Sequence, residues 1–113
     1  MKRANRKKNV LLMTPKRRKN IEWEKNDEII TLIIKREKVI DTIMNKMFKT
    51  PKTIRIELDN IGSFVWENCD GEKNVNDISK TMKSHFGNKV DPVIERLVTY
   101  IRTLKNNKFI EIQ

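Results

Sequence analysis

The sequence predicts an α+β fold, with a three-stranded antiparallel sheet followed by three helices and an extra short helix between the second and third strands. Three observations support this: period-two alternation in the first half, helical spacing of apolar residues in the second half, and turn or capping residues between the segments. With 113 residues, 37% of them apolar, the chain can bury one modest core. We therefore expect one domain with an appendage.

The three strands are predicted from alternation of apolar and polar side chains. Residues 20–25 alternate apolar and acidic side chains, which indicates a strand with one buried face. The turn signal Asn26-Asp27 joins it to an apolar run at 28–35, so the pair is predicted to form an antiparallel hairpin. Residues 52–58 show the cleanest alternation and are predicted to be the third strand, with solvent on its polar face.

The helices are predicted from apolar residues at three- to four-residue steps. Residues 38–49 form a short amphipathic helix that ends before Pro51. Each of the three later helices has a start and a stop signal: Asp59 or Asn60 to Asp70-Gly71, Asn74 (with Asp77 in a capping-box position) to Gly87, and Asp91-Pro92 to Asn106-Asn107. The apolar tail at 109–112 is expected to pack back on the core.

The positive charge is concentrated at the N-terminus. The formal net charge is +10, and residues 1–19 hold nine basic and no acidic side chains, which leaves 25 − 9 = 16 basic against 15 acidic groups in the rest of the chain. We predict a basic, flexible arm at 1–18, either solvated or in contact with an acidic partner, and a domain at 19–113. A phosphate-binding footprint would therefore lie in the arm.

The sequence offers little chemistry. A single cysteine (Cys69) rules out an internal disulfide and fits a reducing cytoplasm, and one cysteine with one histidine (His85) cannot form a zinc site without many supporting carboxylates. We interpret Cys69 as a packing residue and His85 as a surface residue. No secretory signal, membrane span, phosphate-binding glycine loop, small-molecule site, cofactor or catalytic residue is expected, so the protein is predicted not to be an enzyme.

The candidate site is the edge of the third predicted strand. An edge strand carries unpaired N–H and C=O groups, and an apolar helix beside it would complete a groove for an extended peptide. The predicted edge consists of Thr53, Ile54, Arg55, Ile56, Glu57 and Leu58; the helix side consists of Val93, Leu97, Tyr100 and Leu104, with Arg96 and Arg102 available to acidic peptide side chains. The alternative is that these helix residues belong to the core and its rim.

The sequence also resembles a known family. The run Leu58-Asp59-Asn60-Ile61-Gly62-Ser63-Phe64-Val65-Trp66-Glu67, followed by Asp70-Gly71, Val75, Ile78 and Phe86-Gly87, resembles the PqqD-like family, as does the close from Glu95-Arg96-Leu97 through Leu104 to Phe109-Ile110. The resemblance spans residues 20–112, and its most specific part is the block from Leu58 to Gly71. The basic arm and the helix at 38–49 depart from the shortest members.

The resemblance implies a winged-helix-like domain known as a RiPP recognition element. Such domains bind the leader segment of a ribosomally synthesised precursor peptide and present it to a modifying enzyme, often a radical SAM protein. The leader would add as a strand beside Thr53 to Leu58 and lie against the exposed face of the helix from Val93 to Leu104. Trp66 is then expected to be a structural anchor behind the groove.

Two other functions stay open. A winged-helix DNA-binding regulator would account for the net charge and the three-helix run, although the third helix and its start mix both signs of charge (Asp91, Glu95, Arg96, Arg102 and Lys105). A structural subunit docked on a larger enzyme through the helix at 38–49 is the other possibility.

Overall fold

The computed structural model describes residues 10–36 and 52–113. Its elements are the strands Pro15–Arg17 (β1), Glu22–Asn26 (β2), Ile29–Arg36 (β3) and Lys52–Glu57 (β4), the helices Asn60–Asn68 (α1), Val75–Phe86 (α2) and Val93–Asn106 (α3), and the strand Ile110–Ile112 (β5). A 3-10 helix, Gly87–Val90, follows α2. The helix expected at 38–49 lies outside the described residues.

Strands β2, β3 and β4 form an antiparallel sheet in the order β2-β3-β4. The β2–β3 connection is a two-residue turn in which Asp27 has a φ of 58°, a conformation that aspartate tolerates better than most residues. The predicted α+β class and three-stranded antiparallel sheet are therefore confirmed. The winged-helix-like arrangement and the three-helix bundle stay predictions.

The segment before β2 is part of the domain. Strand β1 pairs with β5 in a second, two-stranded antiparallel sheet, which the sequence analysis did not predict. The Met13 carbonyl accepts from the Val75 N–H at 2.9 Å, and the Pro15 carbonyl accepts from the Gly71 N–H at 3.0 Å. Residues 10–17 thus differ from the flexible arm expected at 1–18, because their backbone groups bond the α1–α2 connection and the C-terminal strand.

Arg17 shows how a basic residue of the expected arm stabilises the fold. Its guanidinium donates to the carbonyl oxygens of Trp66 and Glu67, at 3.0 and 2.8 Å, at the C-terminal end of α1. Both carbonyls lie in the last turn of α1, where the helix dipole favours a cation, and the Trp66 carbonyl also accepts from the Cys69 N–H at 3.2 Å. The guanidinium carbon also lies 5.5 Å from the centre of the Trp23 ring. The positive charge of Arg17 therefore interacts with groups of the folded domain.

The core lies between the β2-β3-β4 sheet and the helices. Its fully buried side chains include Ile30, Leu32, Trp66, Ile78 and Leu97. Trp66 packs edge-to-face against Trp23 of β2, with ring centres 6.3 Å apart. Trp66 is buried, as expected, and its aromatic contact lies on the β2 side of the sheet. Trp23 itself is 38% exposed, so β2 lacks the well-buried face that its alternation predicted.

Two predicted caps position the helices. Asn74 and Asp77 form the capping box of α2, each side chain accepting from the other residue's N–H. Asp59 caps α1 by accepting from the Gly62 N–H at 2.6 Å. Because Asp59 directly follows Leu58, this cap fixes the turn from β4 into α1.

Candidate functional site

Strand β4 is an edge of the sheet: within residues 10–36 and 52–113, it pairs with β3 alone. The predicted alternation holds along it. Thr53, Arg55 and Glu57 are exposed, whereas Ile54, Ile56 and Leu58 are half-buried, and Ile56 and Leu58 pack against the core. One row of side chains therefore faces solvent, and the other joins the apolar face of the sheet.

The backbone groups of β4 that face outward can be assigned from the register. Leu58 donates its N–H to the carbonyl oxygen of Ile30 at 2.8 Å, so Leu58 directs its N–H toward β3. Bonded and non-bonded pairs alternate in an antiparallel ladder. Ile56 lies opposite Leu32, and Ile54 lies opposite Ile34, so the N–H and C=O groups of these two β4 residues also point to β3. The N–H and C=O groups of Thr53, Arg55 and Glu57 point to the open edge.

Ser63 of α1 holds the end of this ladder. Its buried hydroxyl accepts from the Ile30 N–H at 2.8 Å and donates to the Leu58 carbonyl at 3.3 Å. The hydroxyl thus relays the bond that Ile30 and Leu58 would otherwise make directly. Sequence reasoning missed Ser63, because a serine inside a helix gives no signal of a distant backbone partner.

Tyr100 connects α3 to the end of β4. Its hydroxyl donates to the Asp59 carboxylate, with oxygen–oxygen distances of 2.8 and 3.0 Å. Burial, together with the hydrogen bond to Asp59 and its negative charge, raises the pKa of Tyr100 to about 12. The phenol is therefore neutral and acts as a donor, so Asp59 caps α1 and anchors α3 at once. Asp59 was predicted as a cap, but its bond to Tyr100 was not.

Gly62 allows the Tyr100 ring to approach Asp59. A Cβ at Gly62 would lie 3.0 Å from an Asp59 carboxylate oxygen, 3.1 Å from Cε1 of Tyr100 and 3.5 Å from Cβ of Leu58. A larger residue would therefore push into the bond between Tyr100 and Asp59. The glycine brings the ends of β4, α1 and α3 together.

The predicted helix residues divide into two groups. Val93 and Tyr100 are half-buried and Arg96 is exposed, so these three are available on the side of α3 that carries the Tyr100–Asp59 contact. Leu97 and Leu104 are 0% and 5% exposed and belong to the core. The expectation that they line the groove differs from the structure, because they occupy the centre of the apolar stripe of α3 and not its margin.

Arg102 lies on the other side of α3. With Val10, Leu11, Ile94 and Val98 it lines a groove of about 610 Å³ between α3 and the helical turn at residues 10–12. It is therefore separated by nearly half a turn of the helix from the Tyr100 side. Arg96 is the arginine of α3 that accompanies Val93 and Tyr100.

The two residues with potential chemistry are placed as packing and surface groups. Cys69 is buried, and burial raises the pKa of its thiol to about 12 despite the nearby Arg17 charge. A thiol that stays protonated at neutral pH is a poor nucleophile. His85 is exposed and stacks on Phe64, with ring centres 4.9 Å apart.

Residues 10–36 and 52–113 contain no group of three or more acidic, histidine or cysteine side chains placed to hold a metal ion. Over the same residues, no helix is long and apolar enough to span a membrane. The features above define a small α+β domain whose sheet ends in an open strand edge next to an amphipathic helix.

Comparison with known proteins gives the family. Residues 48–110, more than half of the chain, match the family model described as coenzyme PQQ synthesis protein D (PqqD). The chain belongs to the PqqD family, as the resemblance predicted. The match begins before β4 and ends at β5, so it includes the open edge, Asp59 and Tyr100. No curated protein matches the chain, and no solved structure matches it.

Proposed function

We propose that this protein binds the leader segment of a ribosomally synthesised precursor peptide and presents it to a modifying enzyme of the radical SAM class, without catalysis of its own. The observation that carries the proposal is the open edge of β4, with a half-buried apolar row and with Tyr100 of α3 bound to Asp59 just after the strand. Membership of the PqqD family supports a precursor-binding role in natural-product biosynthesis.

The backbone of β4 favours an extended ligand. Thr53, Arg55 and Glu57 direct their N–H and C=O groups to the open side, and each can exchange two hydrogen bonds with an added strand. Main-chain bonds of this kind are independent of the ligand's side chains, so they provide affinity without sequence specificity. A leader peptide would thus become the fourth strand of the sheet.

The side chains around the edge supply the selectivity. A strand added beside β4 alternates its side chains between the two faces of the sheet. One row would meet Ile54, Ile56 and Leu58 and continue to Val93 and Tyr100, which favours apolar leader residues at every second position. The exposed Arg96 guanidinium makes no hydrogen bond or ion pair with a side chain in residues 10–36 and 52–113, so it would favour an acidic residue near the α3 end of the leader.

The DNA-binding alternative gains no support. The α3 helix carries Glu95 beside Arg96, and Arg17 is held against α1 and Trp23. A duplex reader needs a continuous basic surface and shows steep salt dependence. Its test should remove only residues 1–9, because a deletion to residue 18 would also remove β1 and Arg17.

The proposal is tested by titrating the purified protein with a fluorescent leader peptide from the precursor encoded beside its gene. We expect saturable binding tighter than the high-micromolar range, and no binding of a scrambled leader of the same composition. Circular dichroism on the same sample establishes that the protein is folded. A folded protein that treats the leader and its scrambled form alike contradicts the proposed function.

The second part of the proposal concerns the modifying enzyme. We expect a radical SAM protein to be encoded beside this gene and to co-elute with this protein in gel filtration, with leader peptide retained in the complex. If the enzyme modifies the precursor equally well without this protein, the presenting role is wrong even where leader binding holds.

A further inference from the structure

The open edge of β4 is self-complementary about Ile56. The exposed row has Arg55 before Ile56 and Glu57 after it, and these two side chains carry opposite charges. The half-buried row has Ile56 at its centre, with Ile54 and Leu58 on either side. An antiparallel partner with the same sequence, aligned with Ile56 opposite Ile56, would place Arg55 opposite Glu57 twice. It would also place Ile54 opposite Leu58 on the other face.

The backbone orientation permits this register. Arg55 and Glu57 both direct their N–H and C=O groups to the open side, so the two copies would exchange a pair of bonds at each Arg55–Glu57 position. A register shift of one residue would place residues whose N–H and C=O groups point to the open side opposite residues of the second copy whose groups point to β3. Centring the pair on Arg55 or on Glu57 would instead set like charges opposite each other, which is destabilising.

The charges at the edge are also available. Arg55 contacts Glu24 at 2.9 Å, but both side chains are more than half exposed, so this surface pair contributes little and can rearrange. Glu57 makes no ion pair with any residue in the described ranges 10–36 and 52–113. The edge therefore presents a carboxylate that matches the arginine of a second copy.

We propose that a second copy of this chain occupies the β4 edge, in a weak, reversible dimer centred on Ile56. The two sheets would join into one six-stranded sheet. The contact is short, which places it among the small, transient interfaces. The dimer covers the outward N–H and C=O groups of β4 that the proposed leader binding would use. Insofar as that binding holds, the leader and the second copy exclude each other. The dimer then acts as a storage form.

Sedimentation analysis of the protein alone tests the proposal, over concentrations from about 10 μM to about 1 mM. We expect a concentration-dependent dimer for the unaltered chain. Arg55→Glu and Glu57→Arg each convert two attractive pairs into repulsive ones, so each should raise the dimer dissociation constant about tenfold or more. The double variant Arg55→Glu/Glu57→Arg restores both pairs and should restore the dimer.

The matched control is Glu22→Lys, which reverses a charge and breaks an exposed ion pair on β2, away from the β4 edge. It should leave the dimer unchanged. A monomer throughout the concentration range overturns the proposal, as does a dimer that the single variants do not weaken or that the double variant does not restore. Since no peptide is present, these outcomes are independent of whether leader binding is found.

Discussion

The two edges of the three-stranded sheet differ in what lies beside them. At the β2 edge, all five residues are exposed, and the one large apolar side chain, Trp23, is covered by Arg17 and packs on Trp66. At the β4 edge, exposed and half-buried residues alternate, and Asp59, which follows the half-buried Leu58, accepts a hydrogen bond from Tyr100 of α3. Both edges carry outward backbone groups, but β4 combines them with a half-buried apolar row.

This difference indicates what makes a strand edge a binding site. The register assigns outward N–H groups at β2 to Trp23 and Lys25, so the capacity for main-chain bonding exists on both sides. At β2, the neighbouring side chains already pair with each other: Lys25 binds Glu67, and Arg17 covers Trp23. We infer that an edge suits a ligand where its apolar row stays partly exposed and is not covered by a neighbouring charged side chain.

The largest expected effect comes from removing one outward N–H at the β4 edge. Arg55→Pro deletes an N–H at the open side of β4, and proline is tolerated on an edge strand when its missing N–H faces away from the ladder. We expect leader affinity, measured by fluorescence anisotropy, to fall at least about tenfold. Arg55→Ala, which keeps the N–H, should retain most of the affinity.

The matching change at the other edge is Lys25→Pro, which removes an outward N–H from β2. Its leader affinity should stay within about twofold of the unaltered protein, since only a surface ion pair is lost as well. The comparison between the edges fails if Lys25→Pro weakens binding as much as Arg55→Pro does.

Substitution of Arg17 tests whether the β2 side of the sheet has only a structural role. Arg17→Met keeps the aliphatic stem but removes the hydrogen bonds to the Trp66 and Glu67 carbonyls, so we expect a loss of about 1–2 kcal/mol in the free energy of unfolding. Urea denaturation measures this, with the exposed Arg18→Met as the control. Leader affinity of the folded Arg17→Met protein should be unchanged; a parallel loss of affinity would show that the β2 side also forms part of the site.

Tyr100 tests the attachment of α3 to β4. Tyr100→Phe removes the hydroxyl that donates to Asp59 and retains the ring, so we expect a loss of about 1 kcal/mol in stability and about a two- to fivefold loss of leader affinity. Thr99→Val removes an exposed hydroxyl from the neighbouring position and should leave affinity unaltered. Equal effects of the two substitutions would disprove a specific role for the Tyr100–Asp59 bond.

The smallest effect concerns Asp70, on the side of the molecule where β1 packs. Burial opposes ionisation, but hydrogen bonds from the Lys73 side chain and from the N–H groups of Glu72 and Lys73 prevail and lower the pKa of Asp70 to about 2. Because the folded-state pKa lies below the ordinary value of 3.8, this stabilisation is present above about pH 4 and is lost as the pH falls toward 2.

Asp70→Asn should therefore lower stability at pH 7 by no more than about 1 kcal/mol, since the carboxylate is near solvent. The difference from the unaltered protein should shrink between pH 4 and pH 2 in acid-denaturation curves, and leader binding at pH 7 should not change. A difference that stays constant through this pH range would contradict the assigned hydrogen bonds.

Local signals in the sequence were sufficient for the elements that depend on local physics. Alternation at 52–58 predicted β4 and its two faces, and the Asn74–Asp77 spacing predicted the capping box of α2, because both features depend on residues only two or three positions apart. The edge position of β4 followed from the strand count. The family resemblance rested on the block from Leu58 to Gly71.

The features that escaped prediction depend on contacts between distant parts of the chain. Strand β1 is three residues long and sits in a basic segment, so it has no periodicity to detect, and only its pairing with β5 defines it. The roles of Arg17, Ser63 and Asp59 rest on partners 33 to 50 residues away. Helical spacing placed Leu97 and Leu104 on the correct stripe, but it could not separate the centre of that stripe from its margin.

Residue-specific amide hydrogen exchange with and without the leader peptide is the most direct test of the central claim, that a peptide adds to the open edge of β4. The account predicts new protection at Thr53, Arg55 and Glu57, while Ile54 and Ile56 are already protected by β3. Trp23 and Lys25 should exchange as fast with the leader as without it. Protection at Trp23 and Lys25, or leader binding that leaves Arg55 unprotected, would contradict the account.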